Sequence, residues 1–251
     1  MLHFVGAGCG AVDLITLRGK SLLEQADVII YAGSLVNPEL LAFAKEGCAI
    51  HNSALMTLDE VIEVIRAAEL QQKNTVRLHT GDPSLYGAIR EQMDRLRELG
   101  IAYDICPGVS SMGGAAAALK IEYTLPGISQ TVILTRMAGK TPVPERENIR
   151  ALAAHGATMV IFLSAGLLTE LAQELIAGGY APHTPAALVY KATWPEEKVV
   201  RGAVADLARM AAEQGIEKTA LVVVGGCLGD DYELSRLYAA DFFTNFREGT
   251  K

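Results

Sequence analysis

Gly6-Ala7-Gly8-Cys9-Gly10-Ala11 follows an apolar run at residues 2–5 and precedes a helical pattern, so its small residues fall at the spacing G-x-G-x-x-G/A. Glycines in such a turn let a pyrophosphate reach backbone N–H groups at a helix N-terminus, which is the chemistry of dinucleotide binding. That chemistry also asks for an acidic residue at the end of the second strand, about 20 residues on. Asp27 instead stands at the start of the second apolar run, 28–31, which ends in Tyr31-Ala32-Gly33-Ser34. The carboxylate is at the wrong end. A nicotinamide-dependent oxidoreductase is therefore the rival reading, and the turn reads as a tight glycine loop bordering a ligand.

Two further loops have the same character. Thr80-Gly81-Asp82-Pro83-Ser84 follows the apolar run 76–79, and Pro107-Gly108-Val109-Ser110-Ser111 follows 103–106. Asp82 or Ser84 alone could be no more than a helix cap, with Pro83 suited to a first turn. Three small-residue loops at the carboxyl ends of strands make a ligand crevice the better account. After the third loop, Met112-Gly113-Gly114 and four alanines start a helix with almost no side-chain volume, which allows close packing or close approach of a flat ligand. Lys140 to Arg146, with Thr141-Pro142-Val143-Pro144 inside, reads as an extended loop flanked by positive charge, either solvated or an anion-binding lid. The five histidines and four cysteines show no metal-ligand spacing, no C-x-x-C pair and no disulfide framework, so no metal is expected.

These loops need elements to hold them. Residues 14–25, 58–69 and 86–99 place apolar side chains three and four apart, the helical period, between the apolar runs. Strand–helix alternation of this kind specifies a mostly parallel sheet covered by helices. The pattern breaks at 120–129, around Pro126-Gly127, and then restarts. Strands are expected at 131–135, 159–163, 186–190, 199–202 and 221–224, and helices at 145–154, 167–177 and 204–213. The parse is two tandem α/β domains, residues 1–119 and 120–251.

The chain has 251 residues, half of them apolar and 20% charged, against about 25% charged in typical soluble domains. That composition excludes intrinsic disorder, and no apolar run approaches the ~18–20 residues of a membrane span. The formal charge of −7 argues against a general nucleic-acid binder but leaves a small anionic ligand open. The first residues carry neither a basic region nor a long apolar stretch, so no secretory leader is read there and a cytoplasmic location is expected.

Taken in order, the loops resemble those of the tetrapyrrole methylases. The matching pieces are Val5-Gly6-Ala7-Gly8, Leu14-Ile15-Thr16-Leu17-Arg18-Gly19, Thr80-Gly81-Asp82-Pro83 and Pro107-Gly108-Val109-Ser110-Ser111. Others resemble the branch of that family that methylates precorrin-4 at C-11. These are Tyr31-Ala32-Gly33-Ser34-Leu35-Val36-Asn37, Glu122-Tyr123-Thr124-Leu125-Pro126, Gly139-Lys140-Thr141-Pro142-Val143-Pro144, Tyr190-Lys191-Ala192-Thr193-Trp194-Pro195 and Ser235-Arg236-Leu237-Tyr238-Ala239-Ala240-Asp241-Phe242. The resemblance implies a homodimer of two-domain α/β chains, with S-adenosylmethionine (SAM) folded in a cleft between the domains and leaving as S-adenosylhomocysteine. It implies cofactor contacts from Cys9, Gly81, Asp82, Leu85, Ser110 and Ser111, and from Leu163, Ser164, Tyr190, Thr219 and Ala220. It places the first glycine loop beside the macrocycle trough. Family members usually carry proline where this chain has Cys9 and aspartate where it has Ala11; Asp13 is the substitute carboxylate and the expected catalytic residue. The substrate's carboxylates would draw on Arg18, Arg90, Arg136, Lys140, Arg146 and Lys191. Another tetrapyrrole methylase, or a non-catalytic tetrapyrrole carrier, is the alternative.

Overall fold

The computed structural model describes residues 1–248. Its contacts divide into two units, Met1–Ala115 with Lys191–Glu197, and Ala116–Tyr190 with the residues from Lys198 onward. Against the expected division at 119/120, the chain divides at 115/116, inside a helix. Pro-Gly punctuation marks where periodicity stops, which need not be where long-range contacts change.

In the first unit the strands are β1 (Leu2–Gly6), β2 (Val28–Tyr31), β3 (Ala49–Asn52), β4 (Thr75–His79) and β5 (Tyr103–Cys106). They pair in the order β3-β2-β4-β1-β5, every pair parallel. The helices are α1 (Leu17–Gln25), α2 (Leu58–Leu70), α3 (Ile89–Glu98) and α4 (Ser111–Leu119). Side chains alternate along the strands, so the sheet has two dry faces. Leu2, Phe4, Val28 and Ile30 pack with Val61, Ile62 and Ile65 of α2 and Leu96 of α3. Val5, Ile29, Val76 and Leu78 pack on the opposite side with Leu23 of α1, Val36 and Leu40. Strand β3 escaped the sequence reading because Ala49-Ile50-His51-Asn52 is a largely exposed edge strand with no apolar run.

Two helices of this unit begin later than periodicity indicates. The Thr16 side chain caps α1 by accepting from Gly19 N–H, and Val12–Leu14 form a separate 3-10 turn. Tyr86 and Ala88 have left-handed backbone (φ +57° and +49°), so α3 starts only at Ile89. Strand β4 buries two ionisable side chains. Arg77 donates to Gln92 Oε1 (3.1 Å) and Ile30 O (3.2 Å), and burial lowers its pKa to about 10. Burial, then the charge of Arg77, lowers His79 to about 3, and His79 Nε2 lacks a hydrogen-bond partner among the described residues.

In the second unit the strands are β6 (Val132–Arg136), β7 (Thr158–Phe162), β8 (Pro185–Tyr190), β9 (Lys198–Ala203) and β10 (Ala220–Val224). Their order is β6-β7-β10-β8-β9; β6 and β7 are parallel and the remaining pairs antiparallel. Helices α5 (Ile149–Ala153), α6 (Leu168–Ala177) and α7 (Leu207–Gln214) cover one face, against Met159, Ile161, Leu188, Val222 and Val224. The sheet is mixed because β8 and β9 follow one another with no helix to carry the chain back. Among the described residues no helix is long and apolar enough to cross a membrane.

Candidate active site

The three glycine loops of the first unit meet at the carboxyl end of its parallel sheet. Gly8 and Gly81 form a β-bridge, with Gly81 N–H donating to Gly8 O at 3.0 Å and Gly8 N–H to Gly81 O at 3.2 Å. A Cβ on Gly6 would lie 2.5 Å from Gly108 Cα and 2.6 Å from Gly81 O, so this crossing admits no side chain. The third glycine of this loop, Gly10, which stands at a variable position of the fingerprint, is packed against the Trp194 ring and Ala192 O. All three are therefore spent on contacts within the protein. Asp27 lies at the far end of β2, where it accepts from Asn74 N–H at 2.8 Å and pairs with Lys45 at 2.7 Å. Neither feature supports a dinucleotide.

Asp82 knits two of these loops. Its Oδ2 accepts from Gly108 N–H at 2.9 Å, and its Oδ1 accepts from Ser84 N–H at 2.8 Å and from the Ser84 hydroxyl. Partial burial pushes the carboxyl's pKa up, but the Ser84 hydroxyl and the two N–H donors outweigh it and hold Asp82 below the usual carboxylate range. It is a fixed anion at neutral pH. Ser110 and Ser111 stand beside Gly81, whose Cβ, if present, would be 3.6 Å from Ser110 Cα and 3.5 Å from Ser111 N. Leu85 N–H donates to Asp82 O at 3.2 Å, closing the same loop. Cys9 is buried, its Sγ 3.6 Å from Thr193 Oγ1.

Next to these loops the first unit holds an open groove of about 670 Å³, within the range of small-molecule sites. Ala11, Val12, Asp13, Ile15, Lys20 and Phe43 line one part; Thr193, Trp194 and Pro195 line another. Asp13 is exposed there, and the missing carboxylate at Ala11 leaves only a methyl on the wall. Lys20 Nζ sits 5.1 Å over the Phe43 ring and 3.5 Å from Glu24. Asn37, Thr193 and Trp194 were not singled out as site residues from the sequence, although both segments that carry them resemble the family.

The second unit gathers its own set. Leu163 and Ser164 follow β7, Tyr190 ends β8, and Thr219 and Ala220 open β10, antiparallel to both. Tyr190 and Ala220 are register partners, so all five residues share one edge of the sheet. Ser164 is buried, accepting from Met137 N–H at 2.9 Å and donating to Phe162 O at 2.7 Å. Leu163 (φ +52°) and Thr219 (φ +58°) are left-handed, as are Lys191 (φ +46°) and Thr193 (φ +66°) in the first unit. Each such residue costs roughly 1–3 kcal/mol and tends to mark a functional site.

The pool of cations for substrate carboxylates shrinks. Arg136 donates to Met137 O, Thr141 O and Pro142 O, fixing the Lys140 loop rather than reaching for a ligand. Arg90 pairs with Asp94 at 3.0 Å, Arg146 with Glu147 at 3.7 Å, and Lys191 with Glu196 at 3.6 Å while lying over Trp194. Arg18 and Lys140 are exposed and enter no ion pair among the described residues.

Residues 1–208 match the family model of the tetrapyrrole (corrin/porphyrin) methylases. The chain is 52% identical to a cobalt-precorrin-4 C(11)-methyltransferase of Methanocaldococcus jannaschii, over 98% of this chain and 96% of that one. A solved structure of a cobalt precorrin-4 methyltransferase superposes with a TM-score of 0.89 at 46% identity, covering 91% of this chain and 96% of the other. A uroporphyrin-III C-methyltransferase of Thermus thermophilus, solved with S-adenosylhomocysteine, shares the fold with a TM-score of 0.76 at 24% identity, covering 90% and 98%.

Proposed function

The chain belongs to the tetrapyrrole (corrin/porphyrin) methylases, and we propose that it transfers a methyl group from SAM to C-11 of precorrin-4 or its cobalt form in cobalamin biosynthesis. The observation that carries this reading is the 52% identity to a C(11)-methyltransferase across 98% of the chain. When bound, SAM supplies a methyl already activated on a sulfonium. Two tasks fall to the protein: holding the acceptor carbon in line and helping to remove its proton. Positioning is worth up to ~7–11 kcal/mol, and a general base typically ~10²–10⁴-fold.

In this reading Cys9, Gly81, Asp82, Leu85, Ser110 and Ser111 of the first unit hold SAM, together with Leu163, Ser164, Tyr190, Thr219 and Ala220 of the second. A fixed carboxylate at Asp82 suits a ligand bearing both an ammonium and a sulfonium. The groove of the first unit takes the macrocycle. Trp194 and Phe43 bring aromatic rings to it, each with a lysine over the ring. Lys20 at its wall and the exposed Arg18, two residues before it in sequence, supply cations for peripheral carboxylates once Lys20 exchanges Glu24 for them. A homodimer and a cytoplasmic setting complete the reading, supported by the family alone.

The test is mass spectrometry of the pigment after incubation with SAM and either acceptor. A gain of one CH₂ per macrocycle, with matching S-adenosylhomocysteine, is expected. An unchanged pigment, or methylation of uroporphyrinogen III in preference, would move the chain to another place in the family.

Asp13 has two possible consequences in a groove for an anionic ring, and Asp13→Asn separates them. As the base it should lower kcat by about 10²-fold with KM little changed. A carboxylate that merely repels the ring would show the reverse, a lower KM at wild-type kcat, and Asp13 would then leave the mechanism.

A further inference from the structure

We propose that Thr193 is a positioning residue for the methyl transfer: its hydroxyl fixes the glycine loop that walls the groove, and so sets how the macrocycle seats. This rests on the groove being the macrocycle's site. Thr193 sits in a left-handed backbone conformation (φ +66°) that a β-branched residue disfavours and that glycine or asparagine would hold with less strain. The turn around it does not need the hydroxyl. Thr193 N–H donates to Glu197 Oε2 at 2.6 Å, Trp194 N–H to Lys191 O at 3.0 Å, and Glu197 N–H to Trp194 O at 3.0 Å.

What only the threonine side chain supplies points at the loop. Its Oγ1 accepts from Ala11 N–H at 2.9 Å, and its Cγ2 is packed so closely on Gly114 that a Cβ there would lie 3.3 Å away. On the other side Asn37, buried, donates Nδ2–H to Gly10 O at 3.0 Å. Gly10 O and Ala11 N–H belong to one peptide unit. That single peptide plane is pinned at its oxygen by Asn37 and at its N–H by Thr193, so its rotation is blocked from both ends. The next residues along, Ala11 to Asp13, are groove wall. A free Gly10–Ala11 peptide would swing the wall and Asp13 with it, whereas the loops around Asp82 are tied by their own bonds. The hydroxyl also donates to Cys9 Sγ at 3.6 Å, a long sulfur contact and its one tie to the residues assigned to SAM. Macrocycle binding therefore depends on Thr193 more strongly than SAM binding does.

Three variants test this. Thr193→Val keeps the shape and removes the acceptor, Thr193→Gly relieves the backbone strain and removes it too, and Thr193→Ser keeps the hydroxyl. The measurements are hydrogen exchange across residues 9–12, SAM affinity by calorimetry, thermal stability, and kcat and KM for precorrin-4. Valine and glycine are expected to speed exchange and to raise KM for precorrin-4, each about five- to tenfold, with SAM affinity shifted by less than about twofold because only the weak contact to Cys9 is lost on that side. Serine should bring both back toward wild type. Thr193→Gly should melt no lower than Thr193→Val yet share its kinetic defect, which a merely structural residue would not do. Wild-type exchange in Thr193→Val overturns the clamp, and faster exchange with wild-type KM overturns its role in positioning. Should the wild-type protein methylate neither precorrin-4 nor its cobalt form, the functional reading fails separately, and the proposal of a role in methyl transfer falls with it while exchange still decides the clamp.

Discussion

Gly108→Ala is expected to lower the melting temperature by roughly 6–12 °C, the equivalent of about 3 kcal/mol in a chain of this size. The new Cβ would run into the Gly81 carbonyl oxygen and lie 2.7 Å from Gly6 Cα. Those atoms are backbone, already held by the Gly8–Gly81 bridge, so no side chain can rotate away to make room. Relief can come only by parting the loops, which breaks the 2.9 Å bond from Gly108 N–H to Asp82. On the proposed assignment of Asp82, affinity for S-adenosylhomocysteine should fall as well. The control is five residues on. Gly113 lies in α4, where a Cβ would meet only Val109 Cγ1 at 3.7 Å, so Gly113→Ala should stabilise by up to ~1 kcal/mol through helix propensity. Thermal melts that move equally for both variants would remove the argument that backbone crossing fixes this glycine.

The same crossing explains which parts of the site could be read from the sequence. Small-residue loops after apolar runs marked Gly8, Gly81 and Gly108, and parallel pairing brings such loops to one sheet edge as a matter of topology. The fingerprint spacing itself misled about use: its two glycines, Gly6 and Gly8, answer to Gly108 and Leu14 O, not to a phosphate. Lys191–Glu197 belongs with the first unit although its neighbours in sequence, β8 and β9, build the second sheet. Nothing local in Tyr190-Lys191-Ala192-Thr193 announces a partner at Ala11, because that hydrogen bond spans 182 residues. Arg136 shows the converse limit. Its residue type fits a carboxylate, and only coordinates reveal that three backbone carbonyls already claim it. Periodicity found the helices but placed the start of α3 early, since left-handed Tyr86 and Ala88 carry no signature in an otherwise helical pattern.

Acid should weaken the fold before the carboxylates titrate, and His79 is the reason. Its pKa is about 3 in the folded chain against the usual 6.5 of a free imidazole, first because it is buried and then because Arg77 is charged beside it. A depressed pKa means that the neutral ring is the folded form. Its contribution is complete above pH 6.5 and drains away as pH falls toward 3, with a slope approaching ~1.4 kcal/mol per pH unit. The shifted carboxylates, among them Asp82 and Glu60, start from ordinary values of 3.8 and 4.5 and act only lower down. Between pH 6.5 and 4.5 the His79 slope should therefore stand out in denaturant midpoints. His79→Leu should flatten that segment. At pH 8 the variant should be no less stable than wild type, because it removes a buried Nε2 that has no partner among the described residues. A slope that survives the substitution would belong to another group, and His79 would then take up its proton in the folded chain, through a water or a shift of Arg77. In that case the buried pair on β4 would be a solvated site rather than a dry one.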